Sequence, residues 1–178
     1  TLVECLNFIM NYGNKEKVSI DFLGGEPLLK KDLIYQAVKY MKTNDPQREV
    51  KYYITTNCSL MDFSFIEFMK QNNFTVRLSF DGNKATHDLN RVAKDGRSCY
   101  DTIFENIMRV RDSGLSFSVR MTVTENTISH MYENICFLHE NGLDHICMIM
   151  DVYLKISEKL KTEFEKQVQL ILKYYLAD

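Results

Sequence analysis

Two prolines, seven glycines and no tryptophan occur in 178 residues. Punctuation this sparse excludes a collagen-like or low-complexity chain and leaves room for few long loops. No apolar run approaches the roughly 18 residues of a membrane-spanning helix. The N-terminus lacks the basic, apolar and small-residue succession of a secretion signal. An excess of one charge is missing too: 22 basic residues against 24 acidic ones leave a formal charge of −2. Such a balance advertises neither nucleic acid nor an anionic membrane surface as a partner.

The five cysteines, Cys5, Cys58, Cys99, Cys136 and Cys147, form no C-x2-C or C-x3-C-x2-C cluster. A local zinc or iron–sulfur ligand set is therefore absent from the sequence. An odd count without a secretion signal argues against a disulfide framework and for reduced, mostly apolar thiols in the cytoplasm. What is present is ordinary for a folded protein: 45% hydrophobic, 12% aromatic and 26% charged residues, enough chain for one domain over 1–178. The first residue is Thr1, and the opening already reads as the body of a helix, so the expectation is a piece of a longer protein.

Helix and strand signals alternate throughout. Residues 1–12 place Leu2, Leu6, Ile9 and Met10 at helical spacing, with Gly13 as the stop. Val18–Leu23 reads as a strand. Lys30–Lys42 is helical, with Leu33, Ile34, Ala37, Val38 and Met41 on one face, and Asn44-Asp45-Pro46 breaks it. Val50–Thr55 is a strand, Phe63–Gln71 a helix capped by Asp62, and Phe74–Phe80 a strand. A polar connection, Asp81–Ser98, follows. Then come helix Tyr100–Arg111, strand Phe117–Val123, helix Ile128–Glu140, strand His145–Val152 and the terminal helix Lys159–Leu176, whose apolar face holds Leu160, Phe164, Val168, Ile171, Leu172 and Tyr175. Each strand-to-strand interval leaves the dozen or so residues a parallel crossover needs. The sheet should be parallel, as an open doubly wound sheet or as an arc of a (β/α) barrel. In both, ligands sit at the C-terminal strand ends.

The first strand ends in Gly24-Gly25-Glu26-Pro27. Two glycines let a ligand lie close to the backbone, Glu26 can meet an ammonium, and Pro27 presets the next helix. A plain turn with an exposed glutamate is the bland reading. The second strand ends in Thr55-Thr56-Asn57, suited to polar ligands or to capping. The third strand ends in Ser79-Phe80-Asp81-Gly82, where period-2 alternation puts Ser79 and Asp81 on one side, pointing into the same space, unless Asp81-Gly82 is only a turn. Next comes His87-Asp88-Leu89-Asn90-Arg91, a solvated loop or a polar cluster in which Arg91 would pair with a carboxylate. Arg120, Thr122 and Thr124 alternate onto one face of the fourth strand. His130, His139 and His145 lack motif context.

In order, Gly24-Gly25-Glu26-Pro27, Ile54-Thr55-Thr56-Asn57, Leu78-Ser79-Phe80-Asp81-Gly82 and His87-Asp88-Leu89-Asn90-Arg91 resemble the radical S-adenosylmethionine (radical SAM) family. The match runs over about residues 1–152. It is most similar to the branch with a C-terminal SPASM or twitch extension, which includes sulfatase-maturing enzymes and thioether-forming peptide maturases. The resemblance implies a partial (β/α)6 TIM-type barrel with a parallel sheet, lacking its first strand here. It implies a core in which Gly24, Gly25, Glu26 and Pro27 lie along the methionine part of S-adenosylmethionine. Thr55 and Asn57 would line the cavity, Ser79 would bind the cofactor's polar groups with Asp81 nearby, and Arg91 would order that edge. A reduced [4Fe–4S] cluster would cleave the sulfonium, giving a 5′-deoxyadenosyl radical that takes a hydrogen from a peptide or protein substrate. Flavodoxin or ferredoxin would be the electron donor.

Two departures stand out. The family's C-x3-C-x2-C cluster site is absent, which the truncation expectation places upstream of Thr1, so this piece alone is expected to be inactive. Cys58 stands where the family has a glycine after Thr-Thr-Asn. The auxiliary-cluster extension is also missing. Removal of the first strand would leave Val18–Leu23 as a bare edge open to self-association. The alternative function is a cluster-free α/β module binding a peptide or nucleotide-like ligand. An aldolase-like enzyme would need a strand-end lysine or a metal set, and neither is evident.

Overall fold

The computed structural model describes residues 1–12 and 16–177. Helix α1 spans Leu2–Asn11 and opens on a capping box between Thr1 and Glu4. Gly13, the expected stop, lies outside the described residues. Strand β1 covers Lys17–Phe22, and a 3-10 turn at Pro27–Lys30 leads into α2, Lys31–Asn44. Then follow β2 (Glu49–Thr56), α3 (Phe63–Lys70), β3 (Phe74–Ser79), α4 (Lys84–Asn90) and α5 (Tyr100–Asp112). Strand β4 is Ser116–Val123, and a second 3-10 turn, Ile128–His130, precedes α6 at Met131–Glu140. The chain closes with β5 (Ile146–Met150) and α7 (Glu158–Leu176).

All strand pairs are parallel, and their spatial order is β1-β2-β3-β4-β5. A doubly wound sheet reverses its strand order at a switch point. This one never reverses, so of the two architectures the sequence allowed, the fold is the barrel arc: α/β, a partial TIM-type barrel. Among the described residues β1 pairs with β2 alone, which leaves its outer edge open.

Period-2 alternation separates the two faces of the sheet. The outer face carries Ile20, Tyr52, Ile54, Val76, Leu78, Val119, Met121 and Val123, all buried in one apolar core with Ile34, Ala37, Met41, Phe65, Ile66, Ile103, Ile107 and Leu138 from the helices. The inner face of the arc is polar. Asp21, Tyr53, Thr55, Arg77, Ser79, Arg120 and Thr122 project there and are partly or fully accessible.

Four local expectations need correction. The Asp81–Ser98 connection contains α4, which a hydropathy pattern misses because the residues it buries are the polar Thr86 and His87. Its start is set by Asn83, whose side chain accepts from the Thr86 amide at 3.0 Å. Leu33 is 42% exposed because the buried stripe of α2 runs Ile34, Ala37, Val38, Met41 and leaves Leu33 beside it. Leu172 and Tyr175 are exposed on the fringe of α7, where Gln167 is buried instead. β1 ends at Phe22, and Leu23 is exposed. No helix of the described residues is long and apolar enough to cross a membrane.

Candidate functional site

Parallel pairing brings the C-terminal ends of β1 to β4 to one rim. After β1 the backbone passes through Gly24, with φ at 153°, a conformation that favours glycine. Apart from its immediate chain neighbours, a Cβ built on Gly24 or Gly25 would meet no atom of the described residues within 4 Å. Packing within the protein therefore gives no reason for a missing side chain at Gly25. Glu26 caps the 3-10 turn by accepting from the Leu28 amide at 3.1 Å, with Pro27 as the turn's first residue. The same oxygen, Oε1, accepts from Thr56 Oγ1 at 2.7 Å, and Oε2 accepts from the Asn57 amide at 2.9 Å. Three donors thus occupy a carboxylate with about four lone-pair positions, and one on Oε2 stays available.

Those bonds staple the end of β1 to the end of β2. The residue that does so is Thr56, which sequence reasoning passed over in favour of Thr55. Thr56 Oγ1 also accepts from the Cys58 amide at 3.0 Å. Asn57 turns its own side chain back onto the chain, accepting from Ser59 N and Oγ at 2.9 and 2.7 Å. Thr55 points to the inner face, where its Oγ1 is buried and has no hydrogen-bond partner among the described residues. Cys58 adopts φ 61°, the left-handed region in which a glycine would be free of strain. Its carbonyl is held by Asn106 Nδ2 at 2.9 Å. Burial, with the Glu26 charge beside it, pushes the Cys58 thiol up, so it packs as an inert apolar group.

The end of β3 is built differently. Ser79 lies half-buried on the inner face, and Asp81 follows just past the strand's last residue. The Asp81 carboxylate is fully buried and accepts four donors: Thr122 N at 2.8 Å, Asn90 Nδ2 at 3.1 Å, and Arg91 Nε and Nη2 at 2.8 and 3.1 Å. Arg91 Nη2 also reaches Thr122 Oγ1 at 3.1 Å. The carboxylate that the sequence assigned to Arg91 is thus Asp81 of the same chain. His87 Nδ1 accepts from the Asp81 amide at 3.4 Å, which puts the ring proton on Nε2. Nε2 is buried without a hydrogen-bond partner among the described residues, its ring lying against Phe80 and edge-on to Tyr100. Burial holds His87 down at about 4, with the Asp81 charge opposing and the Arg91 charge adding.

Gly82 completes this corner at φ 112°. A Cβ there would fall 2.2 Å from Asn134 Oδ1, the atom that accepts from the Asn83 amide at 3.0 Å. Neither Asn134 nor Thr122 was a sequence candidate for this corner, because pairings across 51 and 41 residues leave no local signal. Lower on the inner face Arg77 pairs with Asp21 and lies 4.7 Å over the Tyr53 ring.

Among the described residues no group of three His, Cys, Asp or Glu could hold a metal ion. Cys5 and Cys147 are exposed and the other three cysteines are buried or half-buried, and all five are free.

A family profile described as Radical SAM superfamily matches residues 1–138. The cysteine-type anaerobic sulfatase-maturating enzyme of Clostridium perfringens (strain 13 / Type A) is 26% identical over 158 residues, covering 88% of this chain and 43% of that protein. The solved structure of native anSMEcpe with bound AdoMet shares the fold at a TM-score of 0.87 and 23% identity, over 99% of this chain and 50% of that one. Streptococcus suis SuiB bound to precursor peptide SuiA has a TM-score of 0.62 at 19% identity, over 90% of this chain and 36% of that one. The chain spans half or less of the length of each of these relatives.

Proposed function

This chain belongs to the radical SAM superfamily, and from that premise we propose that its strand-end rim binds S-adenosylmethionine for hydrogen abstraction from a peptide or protein. The observation that carries the reading is the open backbone at Gly24 and Gly25, beside a glutamate with one lone-pair position left. A methionine moiety lying along the two glycines would place its ammonium at Glu26 Oε2. Pro27 and the 3-10 turn hold Glu26 in that attitude. The unpartnered Thr55 hydroxyl and the Asn57 backbone line the same edge, and Ser79 offers a hydroxyl to the cofactor's polar groups. Asp81 and Arg91 act on the site through β4 and α4, by locking the rim around Ser79 rather than by touching the ligand. Bound there, S-adenosylmethionine supplies a sulfonium whose reductive cleavage leads to hydrogen abstraction.

The residues present fit S-adenosylmethionine. They do not fit an iron–sulfur cluster, since no three-ligand set exists among the described residues. Peptide substrates are supported by the likeness to a sulfatase-maturating enzyme and to SuiB, solved with its precursor peptide. A flavodoxin or ferredoxin would be the matching class of electron donor.

The test uses the full-length gene product, purified without oxygen and reconstituted with iron and sulfide. Dithionite and S-adenosylmethionine are added, and 5′-deoxyadenosine is measured by mass spectrometry. The expected result is product formation that Glu26→Gln lowers at least tenfold, the loss of a charge-assisted contact to the ammonium. No product, with S-adenosylmethionine still bound, would replace this reading with a cluster-free binding module.

A further inference from the structure

The lower end of the sheet, opposite the strand-end rim, holds a cavity of about 440 Å³. It lies where the C-terminal ends of α2 and α3 meet the starts of β2 and β3. That volume is within the range of small-molecule sites. Met41, Pro46 and Val50 give it an apolar wall. The guanidinium beside it, that of Arg48, is fully engaged within the chain. Its Nε pairs with Asp45 at 2.7 Å, and Nη1 and Nη2 donate to the Ile9 and Met10 carbonyls at 3.2 and 2.9 Å.

Two buried side chains on the cavity wall are left incomplete. Tyr52 is 2% exposed. Its ring stacks on Phe74 and Phe22, with centroids 4.9 and 6.2 Å away, so the hydroxyl is the end turned to the cavity. No group among the described residues bonds that hydroxyl. Burial pushes Tyr52 up to about 12, which keeps the hydroxyl a donor at working pH. Asn72 is 8% exposed. Its Nδ2 donates to the Phe68 carbonyl at 2.6 Å, which leaves Oδ1 an acceptor without a donor among the described residues. Buried polar atoms without partners cost free energy, and each one in a native fold calls for a reason. A donor and an acceptor on one wall complement a carbonyl and an N–H on one ligand edge. We propose that this cavity binds a small uncharged molecule whose apolar body ends in a primary amide or lactam edge. The ligand's carbonyl accepts from Tyr52 Oη, its N–H donates to Asn72 Oδ1, and its body lies against Met41, Pro46 and Val50. The rim takes no part, so the site is independent of the function proposed above.

The full-length gene product is titrated with benzamide and with two near-isosteres: acetophenone, which lacks the N–H, and benzoate, which carries a charge. The Asn72 side-chain amide and Val50 backbone amide signals are followed by NMR. The expected result is a saturable shift with benzamide that each isostere reproduces at least fivefold more weakly, the loss of one neutral hydrogen bond. Tyr52→Phe removes the hydroxyl and keeps the stacked ring. It should bind benzamide at least fivefold more weakly, with a urea midpoint no lower than the parent's, since the hydroxyl holds nothing within the chain. Equal response to benzamide and acetophenone, or none, overturns the proposal and leaves a water-filled cavity. Tighter binding of benzoate overturns it too and assigns an anion site to Lys42 on the cavity wall. Parent-like benzamide binding in Tyr52→Phe, or a lowered urea midpoint, gives the hydroxyl another role and overturns it as well. The probe comparison is made on the parent protein, so it holds whatever the variant's stability.

Discussion

The rim of this barrel has a carboxylate at each side, and the two are in opposite states. Asp81, where β3 meets β4, is fully buried and accepts four donors. Glu26, where β1 meets β2, is half-buried, accepts three and stands beside two glycines with open space over them. A saturated carboxylate shapes the protein, whereas an unsaturated one beside bare backbone can meet a ligand. Density of polar residues is therefore a poor guide to binding. The Asp81–Arg91 corner has the most polar residues and the least spare capacity.

The sharpest way to break this comparison is to remove the saturated carboxylate. Asp81→Ala strands Arg91 half-buried and leaves the Thr122 amide and the Asn90 side chain without their acceptor. Loss of one partner from a buried pair costs about 3–5 kcal/mol. Urea unfolding should show a loss of that size, and a loss below about 1 kcal/mol would mean that the corner does not hold the rim together.

A smaller effect on the same corner comes through His87. Its folded-state value lies at about 4, against the ordinary 6.5. Below pH 6.5 the unfolded chain takes up a proton that the folded chain refuses, so stability falls as pH drops from about 6.5 to about 4 and levels off below. The change should be on the order of 3 kcal/mol. Denaturation midpoints measured across that range should lose this part of their slope in His87→Gln, which cannot titrate. An unchanged slope would mean that burial does not control this histidine.

Most of the scaffold was legible because its signals are local. Among the described residues apolar stripes marked six of the seven helices, β-branched and aromatic runs marked all five strands, and Asp62 caps α3 as its position suggested, accepting from the Phe65 amide at 2.8 Å. The site was half legible. Gly24, Gly25 and Glu26 lie at a strand end, where the parallel topology puts ligands. Arg91 was expected to meet a carboxylate, and it does. What failed was whatever depends on distant partners or on which neighbouring hydroxyl faces which way. Thr55 and Thr56 alternate across the sheet, so one residue of register decides which of them staples Glu26. Gly82 needs to be glycine because of Asn134, far along the chain, and α4 hides because it buries a threonine and a histidine in place of leucines.

On the proposed function, the bare backbone at the end of β1 is a binding surface and not merely a turn. Binding of S-adenosylmethionine to the reconstituted full-length protein, measured by calorimetry for the parent and for Gly25→Val, tests it most directly. Beyond its chain neighbours, no atom of the described residues lies within 4 Å of the added Cβ, so the urea midpoint should change by less than the equivalent of about 0.5 kcal/mol. Affinity should nonetheless fall at least tenfold, about 1.4 kcal/mol. Parent-like affinity in Gly25→Val would contradict it.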